Sequence, residues 1–385
     1  MRREIQSVLV VTSVHPSFDG RIWKHCNALA KAGIRVHLVC PWDVQPGESV
    51  KKGVVFHPFE RSRGMRERLT RLPGRIAAVV KPLLSNCDLV HIHDPDLLPL
   101  ALRWLKYVPV VYDCHENLGE EIALRPYVPR PLKPVAAQAV SVLERRFVRR
   151  IGFVVMVTPA QEEYFQRTGA KRLLIGNQAS EDILAEVRSD WGGRASAVVF
   201  IGTQHERNGS LIFLHVAALL ARRYPGLRFL ASDRFPSVDF RKHYLALAAK
   251  LGVLDRLDLP ANVPAHNIME VLNRGTVGIN PNLRIPQQIK GNHTKMYEFM
   301  AAGLPVVASD LPHQKTLVEA CESGLLAQPE SVASFAEQCG RLLEDTELRL
   351  RLGSNAQRAF REKYCFEQQI PELIDFYLEA MNRRG

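Results

Sequence analysis

A lysine and a glutamate stand three residues apart at the start of a predicted helix, within the stretch TKMYEFMAAGLPVVASD (Thr294–Asp310). The preceding loop KGNHT is small and polar, so the first backbone N–H groups of the helix point towards it. A helix N-terminus carries about half a positive charge and favours anions, especially phosphate. Lys295 adds a full charge there. Glu298 lies on the same face and suits a pair of sugar hydroxyls.

This corner of the chain therefore predicts a site for a nucleoside diphosphate and its ribose. Gly303 ends the helix, and Pro305 prevents its continuation. A surface Lys–Glu pair beside a helix cap is the alternative interpretation.

The elements that must position these residues alternate short β-branched runs with amphipathic stretches, which is typical of parallel βαβ units. One series runs from SVLVVTS to LLIGN and a second begins at SAVVFIG, in a chain of 385 residues. One core seldom grows beyond ~250–300 residues, so we predict two doubly wound α/β domains facing a central cleft. We place them at residues 1–185 and 195–365, with a hinge at about Ser180–Arg194. Residues 366–385 form a last helix that returns to the first domain.

Composition and motifs exclude several classes of protein. Seven scattered cysteines without a CxxC spacing indicate reduced thiols in a cytoplasmic protein. The start MRREIQSVLVVTS reads as a first β-strand rather than a signal peptide, and no run reaches the ~18 apolar residues of a membrane span. The chain has no GxGxxG after its first strand, no P-loop and no GxSxG elbow. It also lacks nucleic-acid-binding signatures.

The net charge is +11, and part of it is concentrated between Lys51 and Leu84, where nine Lys/Arg stand against two Glu. Between Arg61 and Lys81 these basic residues alternate with apolar ones in a roughly helical rhythm. That pattern predicts a helix lying on an anionic membrane surface. A solvated basic face covering a sheet explains the pattern equally well.

The stretch HIHD (His91–Asp94) places two imidazoles on one face of a predicted strand. This spacing could bind a metal, but the sequence shows no third ligand, so we favour cleft lining or core packing. HPSFDGR similarly reads either as part of a site or as a tight strand-to-helix loop.

Several stretches together match a known family. TKMYEFMAAGLPVVASD resembles the signature of the retaining family 4 glycosyltransferases of GT-B fold. Six further segments of this chain are similar to segments of that family and occur in the same order. They are SVHPSFDGRIWKHCNALAKAG, DLVHIHDP, PVVYDCHE, VVMVTPAQEEYF, IGNQ and VFIGTQHERNGSLIFLHVAALL. The resemblance covers nearly the whole chain.

The resemblance implies transfer of a sugar, with retention, from a nucleoside-diphosphate sugar held by the second domain. The acceptor lies on the first domain, and no metal or other cofactor is needed. Combined with the basic segment, it predicts a lipid-linked saccharide acceptor, cell-surface polysaccharide assembly and a peripheral location on the inner face of the cytoplasmic membrane. We expect no nucleic-acid partner.

Carried over residue by residue, the resemblance implies three groups of site residues. The catalytic group is His115, Asp19 and Lys295; the donor-binding group is Gly20, Gly202, Arg207, Lys290, Asn292, Thr294, Lys295 and Glu298; the acceptor side has Asp94 and Glu116.

The chain departs from the family pattern at three positions. Lys290 replaces the first of two acids, Thr203 replaces an arginine, and Asn208 replaces a lysine. Arg207, Lys290 or Lys295 could replace the missing cations. Two alternatives stay open: a sugar-nucleotide 2-epimerase of the same architecture, against which Lys290 weighs, and a non-catalytic sugar-nucleotide-binding protein, which Thr203 and Asn208 favour.

Overall fold

The structure is a computed structural model that describes residues 4–16, 19–41, 50–124, 128–187, 196–260 and 267–383. The second half of the predicted hinge, from residue 188 onward, lies outside these ranges. The chain divides into two compact units, one formed by Met1–Asn177 with Gln369–Gly385 and the other by Gln178–Gln368.

The first unit is built on an eight-stranded sheet. Its strands are β1 (Ser7–Val11), β2 (Arg35–Pro41), β3 (Val50–Lys51), β4 (Val54–Phe59), β5 (Leu89–Ile92), β6 (Val110–Cys114), β7 (Phe153–Met156) and β8 (Lys171–Leu174). The strand order is β3-β4-β2-β1-β5-β6-β7-β8, and only the β3–β4 pair is antiparallel. Every residue of β1, β5, β6 and β7 is buried, as expected for parallel strands covered by helices on both faces.

Seven helices connect these strands. They are α1 (Gly20–Lys31), α2 (Met65–Thr70), α3 (Leu72–Val80), α4 (Leu98–Trp104), α5 (Leu118–Leu124), α6 (Lys133–Ile151) and α7 (Ala160–Gln166). Helix α1 starts where it does because Asp19 caps it, accepting hydrogen bonds from the N–H groups of Arg21 and Ile22. Helix α6 ends at Gly152, which adopts a left-handed conformation.

The second unit has a six-stranded, fully parallel sheet. Its strands are β9 (Ala197–Phe200), β10 (Arg228–Ala231), β11 (Leu257–Asp258), β12 (Val277–Asn280), β13 (Val306–Ser309) and β14 (Gly324–Ala327), in the order β11-β10-β9-β12-β13-β14. Its helices are α8 (Ser210–Arg223), α9 (Val238–Lys250), α10 (Ile268–Leu272), α11 (Pro286–Lys290), α12 (Thr294–Ala301), α13 (Pro312–Cys321), α14 (Val332–Glu344) and α15 (Thr346–Ala359). Apolar clusters fill both faces of this sheet.

The last helix, α16 (Ile370–Asn382), packs within the first unit. Phe376 meets Phe153 of β7 edge to face, with ring centroids 5.3 Å apart. The buried hydroxyl of Tyr377 contacts His91 of β5. These contacts anchor α16 against the sheet of the first unit.

Both sheets are doubly wound, as the βα alternation predicted. The order of strands reverses between β1 and β5 in the first sheet and between β9 and β12 in the second. In such sheets ligands bind beyond the carboxyl ends of the strands beside this reversal. Among the described residues, no helix has the length and apolar content needed to cross a bilayer.

Candidate active site

A cavity of about 260 Å³ lies at the carboxyl ends of β9 and β10 in the second unit. It is lined by Gly202, Thr203, Ser232, Arg234, Ile268, Thr294, Lys295 and Glu298. The first two residues follow β9, the next two follow β10, and the last three form the first turns of α12. The cavity therefore occupies the place where a doubly wound sheet binds ligands.

Lys295 supplies a buried positive charge beside this cavity. Its Nζ lies 5.0 Å from the ring centroid of Phe200 and makes no hydrogen bond to any residue that the structure describes. Burial lowers the pKa of Lys295 to about 8, although the nearby Glu298 opposes the shift. A buried ammonium without a hydrogen-bond acceptor is unfavourable, so an anion that binds beside it would be stabilised.

The N-terminus of α12 adds donors at the same place. His293 occupies the capping position, but its side chain makes no capping hydrogen bond. Instead its Nε2 contacts the carbonyl oxygen of Gln288 at 2.9 Å, and its Nδ1 contacts Asn282 Nδ2 at 3.0 Å. Burial lowers the pKa of His293 to about 4, so the ring is neutral at physiological pH. The first N–H groups of α12 thus have no capping side chain from this position, which leaves them suited to an anionic ligand.

Gly202 lets the chain pass close to Lys295. Its φ is +90°, and a Cβ at this position would lie 2.9 Å from Lys295 Cδ. Its N–H donates to Ser232 Oγ at 3.2 Å, which ties the ends of β9 and β10 together. Both the backbone conformation and the close approach require glycine.

Four of the predicted donor-binding residues, Gly202, Thr294, Lys295 and Glu298, meet at this cavity. The other four do not line it, and Gly20 among them lies in the first unit. Arg207 is exposed in a short 3₁₀ turn, Lys290 is exposed at the end of α11, and the Asn292 side chain contacts the Tyr297 hydroxyl.

Sequence reasoning missed Ser232, Arg234 and Ile268. Ser232 and Arg234 stand just beyond the end of β10, and the position of polar residues at a strand end is the signal that could have identified them. Arg234 gives the cavity a second cationic side chain.

The first unit contains a second polar group, in which His15 bridges two carboxylates. Its Nδ1 lies 3.1 Å from Asp19 Oδ2 and its Nε2 lies 3.3 Å from Asp94 Oδ1. Hydrogen bonds to Asp19 and Asp94 raise the pKa of His15 to about 10, so it is an imidazolium at neutral pH. Burial alone would raise the pKa of Asp19, but hydrogen bonds from His15 and the start of α1 lower it to about 2.

These contacts explain where Asp19, Gly20 and Asp94 lie. Asp19 Oδ1 caps α1 while Oδ2 pairs with His15, and Gly20 is the first residue of α1, with open space at its Cβ position. Asp94 is buried and accepts hydrogen bonds from Thr12 Oγ1 at 2.6 Å and the Ser13 N–H at 2.7 Å. Both carboxylates are thus held by local partners.

His115 lies close to this group. Its ring centroid is 5.3 Å from that of His15, and its Nε2 is 3.1 Å from His93 Nδ1. Burial lowers the pKa of His115 to about 3, so the imidazole is neutral. Glu116, the next residue, is exposed. The structure brings His115 near Asp19 and Asp94, and the functional roles of all these residues remain predictions.

His91 and His93, the two histidines of HIHD, lie close to two further residues that the sequence does not identify. His25, His91, His93 and Asp113 are all buried, and one ligand atom from each lies within 4.8 Å of the others. The sequence shows no third ligand beside His91 and His93, but in the folded chain α1 and β6 bring His25 and Asp113 close to them.

Comparisons with known proteins agree with this architecture. Residues 21–177 match the model of the glycosyl transferase 4-like domain, and residues 195–345 match that of the glycosyl transferases group 1. Each match lies within one of the two units.

Two relatives illustrate the range of similarity. The chain is 27% identical over 221 residues to the D-inositol 3-phosphate glycosyltransferase of Salinispora tropica, which covers 54% of this chain and 43% of that protein. It is 24% identical over 347 residues to the phosphatidyl-myo-inositol mannosyltransferase of Mycolicibacterium smegmatis, which covers 86% of this chain and 84% of that protein. The chain spans less than half the length of the D-inositol 3-phosphate glycosyltransferases it matches.

A solved structure shares the fold. Anabaena Alr3699/HepE, in a complex with UDP and glucose, superposes with a TM-score of 0.68 at 17% sequence identity, over 96% of this chain and 99% of that one.

We expect Gly202→Ala to destabilise the protein and weaken binding in the cavity. An alanine would adopt an unfavourable left-handed conformation, at a cost of roughly 1–2 kcal/mol, and would also displace Lys295. Thermal unfolding measures the stability. The matched control is Gly252→Ala, since Gly252 also has a positive φ (+70°) but no atom within 4 Å of a Cβ. Equal effects of the two substitutions on ligand binding would contradict the role given to Gly202.

We expect Lys295→Met to stabilise the ligand-free protein at pH 7. A fall in pKa from 10.5 to about 8 corresponds to a destabilisation on the order of 3 kcal/mol while Lys295 is protonated. Between these two values the unfolded chain binds more protons, so the wild type gains stability as pH rises and the difference shrinks. Unfolding in urea at pH 7 and pH 10 tests this, with the exposed Lys290→Met as control. A less stable Lys295→Met at pH 7 would contradict the argument.

Proposed function

Because the chain belongs to the GT-B glycosyltransferases of family 4 type, we propose that it transfers a sugar from a nucleoside-diphosphate sugar to an acceptor hydroxyl. The observation that carries this proposal is the cavity in which the buried Lys295 ammonium, the start of α12 and Glu298 meet. A cation and helix N–H groups suit a diphosphate, and a carboxylate one turn away suits the ribose hydroxyls. The complex of the Anabaena neighbour with UDP supports a nucleotide ligand.

In this proposal, charge develops on the diphosphate as the glycosidic bond breaks. Lys295, Arg234 and the first N–H groups of α12 would stabilise that charge more in the transition state than in the ground state, which accelerates the step. We assign this stabilising role to Arg234 rather than to Arg207, because Arg234 lines the cavity and Arg207 does not.

We further propose transfer with retention, in which the leaving phosphate accepts the proton of the acceptor hydroxyl. This route needs no carboxylate nucleophile, and Asp19 and Asp94 are both held by His15 and other local partners. His115, whose pKa burial lowers, would position the acceptor or the sugar as a neutral imidazole. No metal takes part in this step.

Nucleotide binding tests the proposal. A panel of nucleoside diphosphates and their sugars should include one that raises the thermal unfolding temperature, since a ligand at 100 times its Kd adds about 2.7 kcal/mol of stability. We expect Glu298→Ala to lower affinity at least tenfold by removing the ribose contact. Glu319→Ala, an exposed glutamate on α13, is the control.

Failure of every nucleotide to stabilise the wild type would overturn the proposal. Binding without donor turnover in the presence of acceptor extracts would favour a non-catalytic binding protein. Conversion of the donor to an epimer, without addition to an acceptor, would favour the epimerase.

The acceptor we propose is a lipid-linked saccharide used in cell-surface polysaccharide assembly at an anionic membrane surface. The relative named phosphatidyl-myo-inositol mannosyltransferase supports a lipid acceptor. In the basic segment, Arg68 pairs with Asp96 and Arg75 pairs with Glu60 and Glu67, so those two arginines are structural. Arg63, Arg66, Leu69 and Arg71 remain exposed around α2.

Helix α6 of the same unit has a second exposed face of this kind. Its outer face exposes Val135, Val142 and Leu143, each at least half exposed, followed by the exposed Arg146, Arg149 and Arg150. Apolar residues next to arginines suit the boundary between anionic headgroups and lipid tails.

We expect the protein to float with anionic liposomes at low salt and to release at high salt, because the ionic attraction is screened. Leu143→Glu combined with Val142→Glu should reduce the bound fraction severalfold. Val238→Glu on α9, which replaces an even more exposed valine in the second unit, should not. Failure of the wild type to float would exclude the membrane proposal and leave the nucleotide proposal intact.

A further inference from the structure

Four side chains converge in the first unit at a point that the proposed transfer does not use. His25 lies on α1, His91 on β5, His93 directly after β5, and Asp113 on β6. All four are buried, with at most 1% of each residue exposed. They come from three separate segments, so the fold rather than the local sequence assembles them.

The distances from Asp113 to the three imidazoles are close to those between neighbouring ligands of a tetrahedral metal ion. Asp113 Oδ2 lies 3.2 Å from His93 Nδ1, 3.6 Å from His25 Nε2 and 3.7 Å from His91 Nε2. Ligand bonds of about 2.0–2.1 Å in a tetrahedron place neighbouring ligand atoms roughly 3.3–3.4 Å apart. One atom from each of the four residues lies within 4.8 Å of the other three.

Hydrogen bonds account for only part of this arrangement, since His93 Nδ1 also lies 3.1 Å from His115 Nε2. Asp113 Oδ2 and His91 Nε2 are buried, and neither has a hydrogen-bond partner in the part of the chain that the structure describes. Buried polar atoms are nearly always satisfied, and leaving one unsatisfied costs about 1–3 kcal/mol. A cation held among these atoms would satisfy both.

The surrounding residues orient the cluster in the way that outer-shell partners orient metal ligands. Arg21 Nη2 donates to the other oxygen of Asp113, Oδ1, at 2.6 Å. The Tyr377 hydroxyl contacts His91 Nδ1 and so leaves Nε2 directed towards Asp113. Metal-binding histidines and carboxylates commonly have such partners on their second polar atom.

The protonation states also suit a cation. Burial lowers the pKa of His91 to about 4 and lowers that of His25 well below its ordinary value, so both are neutral at pH 7. Burial opposes ionisation of Asp113, but the charge of Arg21 and the contacts with the neighbouring imidazoles together keep the pKa of Asp113 well below its usual range. Neutral imidazoles and a carboxylate are the forms that bind metal ions.

We propose that His25, His91, His93 and Asp113 bind one divalent transition-metal ion, for which the donor set of three imidazoles and one carboxylate favours zinc. With four protein ligands the site is closed, so the ion would join α1 to β5 and β6 rather than activate a water molecule. The proposal concerns the first unit and is independent of nucleotide binding in the second. The competing view is that Arg21 alone neutralises Asp113 and that no metal binds.

Metal analysis of the full-length protein tests the proposal. The protein would be produced without a polyhistidine tag, gel-filtered in metal-free buffer and analysed by plasma mass spectrometry. We expect about one zinc ion per chain, and after exchange with Co²⁺ we expect the visible absorption of tetrahedral cobalt. A chelator that removes the ion should lower the unfolding temperature.

Variants locate the ion. His25→Ala with His93→Ala should lower zinc affinity at least tenfold. His37→Ala with His57→Ala is the control, because these two histidines contact each other at 2.9 Å on neighbouring strands of the same unit, outside the cluster. A wild type that purifies without metal and whose unfolding temperature does not rise on addition of Zn²⁺ would overturn the proposal. That measurement on the wild type stands even if the variant fails to fold.

Discussion

The constraint on which the second unit depends is a buried positive charge. None of the residues that the structure describes accepts a hydrogen bond from it. Lys295 Nζ lies close to Gly202 and over the ring of Phe200, and it is buried from solvent. Burial lowers the pKa of this group to about 8, so the folded chain carries a destabilising cation at physiological pH. A diphosphate would remove this penalty, and the same electrostatics would then favour departure of the leaving group.

The first unit handles the buried charge of Asp94 in the opposite way, since that carboxylate already has partners. Asp94 accepts hydrogen bonds from Thr12 and Ser13 and pairs with His15. Removing one of these partners would leave an uncompensated charge in a low-dielectric interior. The contrast explains why Lys295 and His115 are better candidates for chemistry than the acidic residues around them.

The departures from the family pattern have a structural explanation. Asn208, where the family has lysine, donates to the carbonyl oxygen of Thr203 at 2.9 Å and accepts from Gln288 at 3.0 Å. It therefore fixes the loop after β9 rather than binding an anion. The second cation at the cavity is Arg234, which approaches from the neighbouring strand β10. A cation lost from one loop can be replaced from another when both loops meet at the carboxyl end of one sheet.

The sequence by itself determined the two βα series, the last helix and the corner from Thr294 to Glu298. Each depends on local periodicity, on the start of a helix, or on a spacing of three residues, all of which the chain expresses within a few positions. Only the tertiary structure decided that Arg234 rather than Arg207 lines the cavity, that His15 holds Asp19 and Asp94, and that His25 and Asp113 join His91 and His93. The physical reason is that parallel strands bring together residues far apart in sequence, and the burial that sets their charge states depends on that packing.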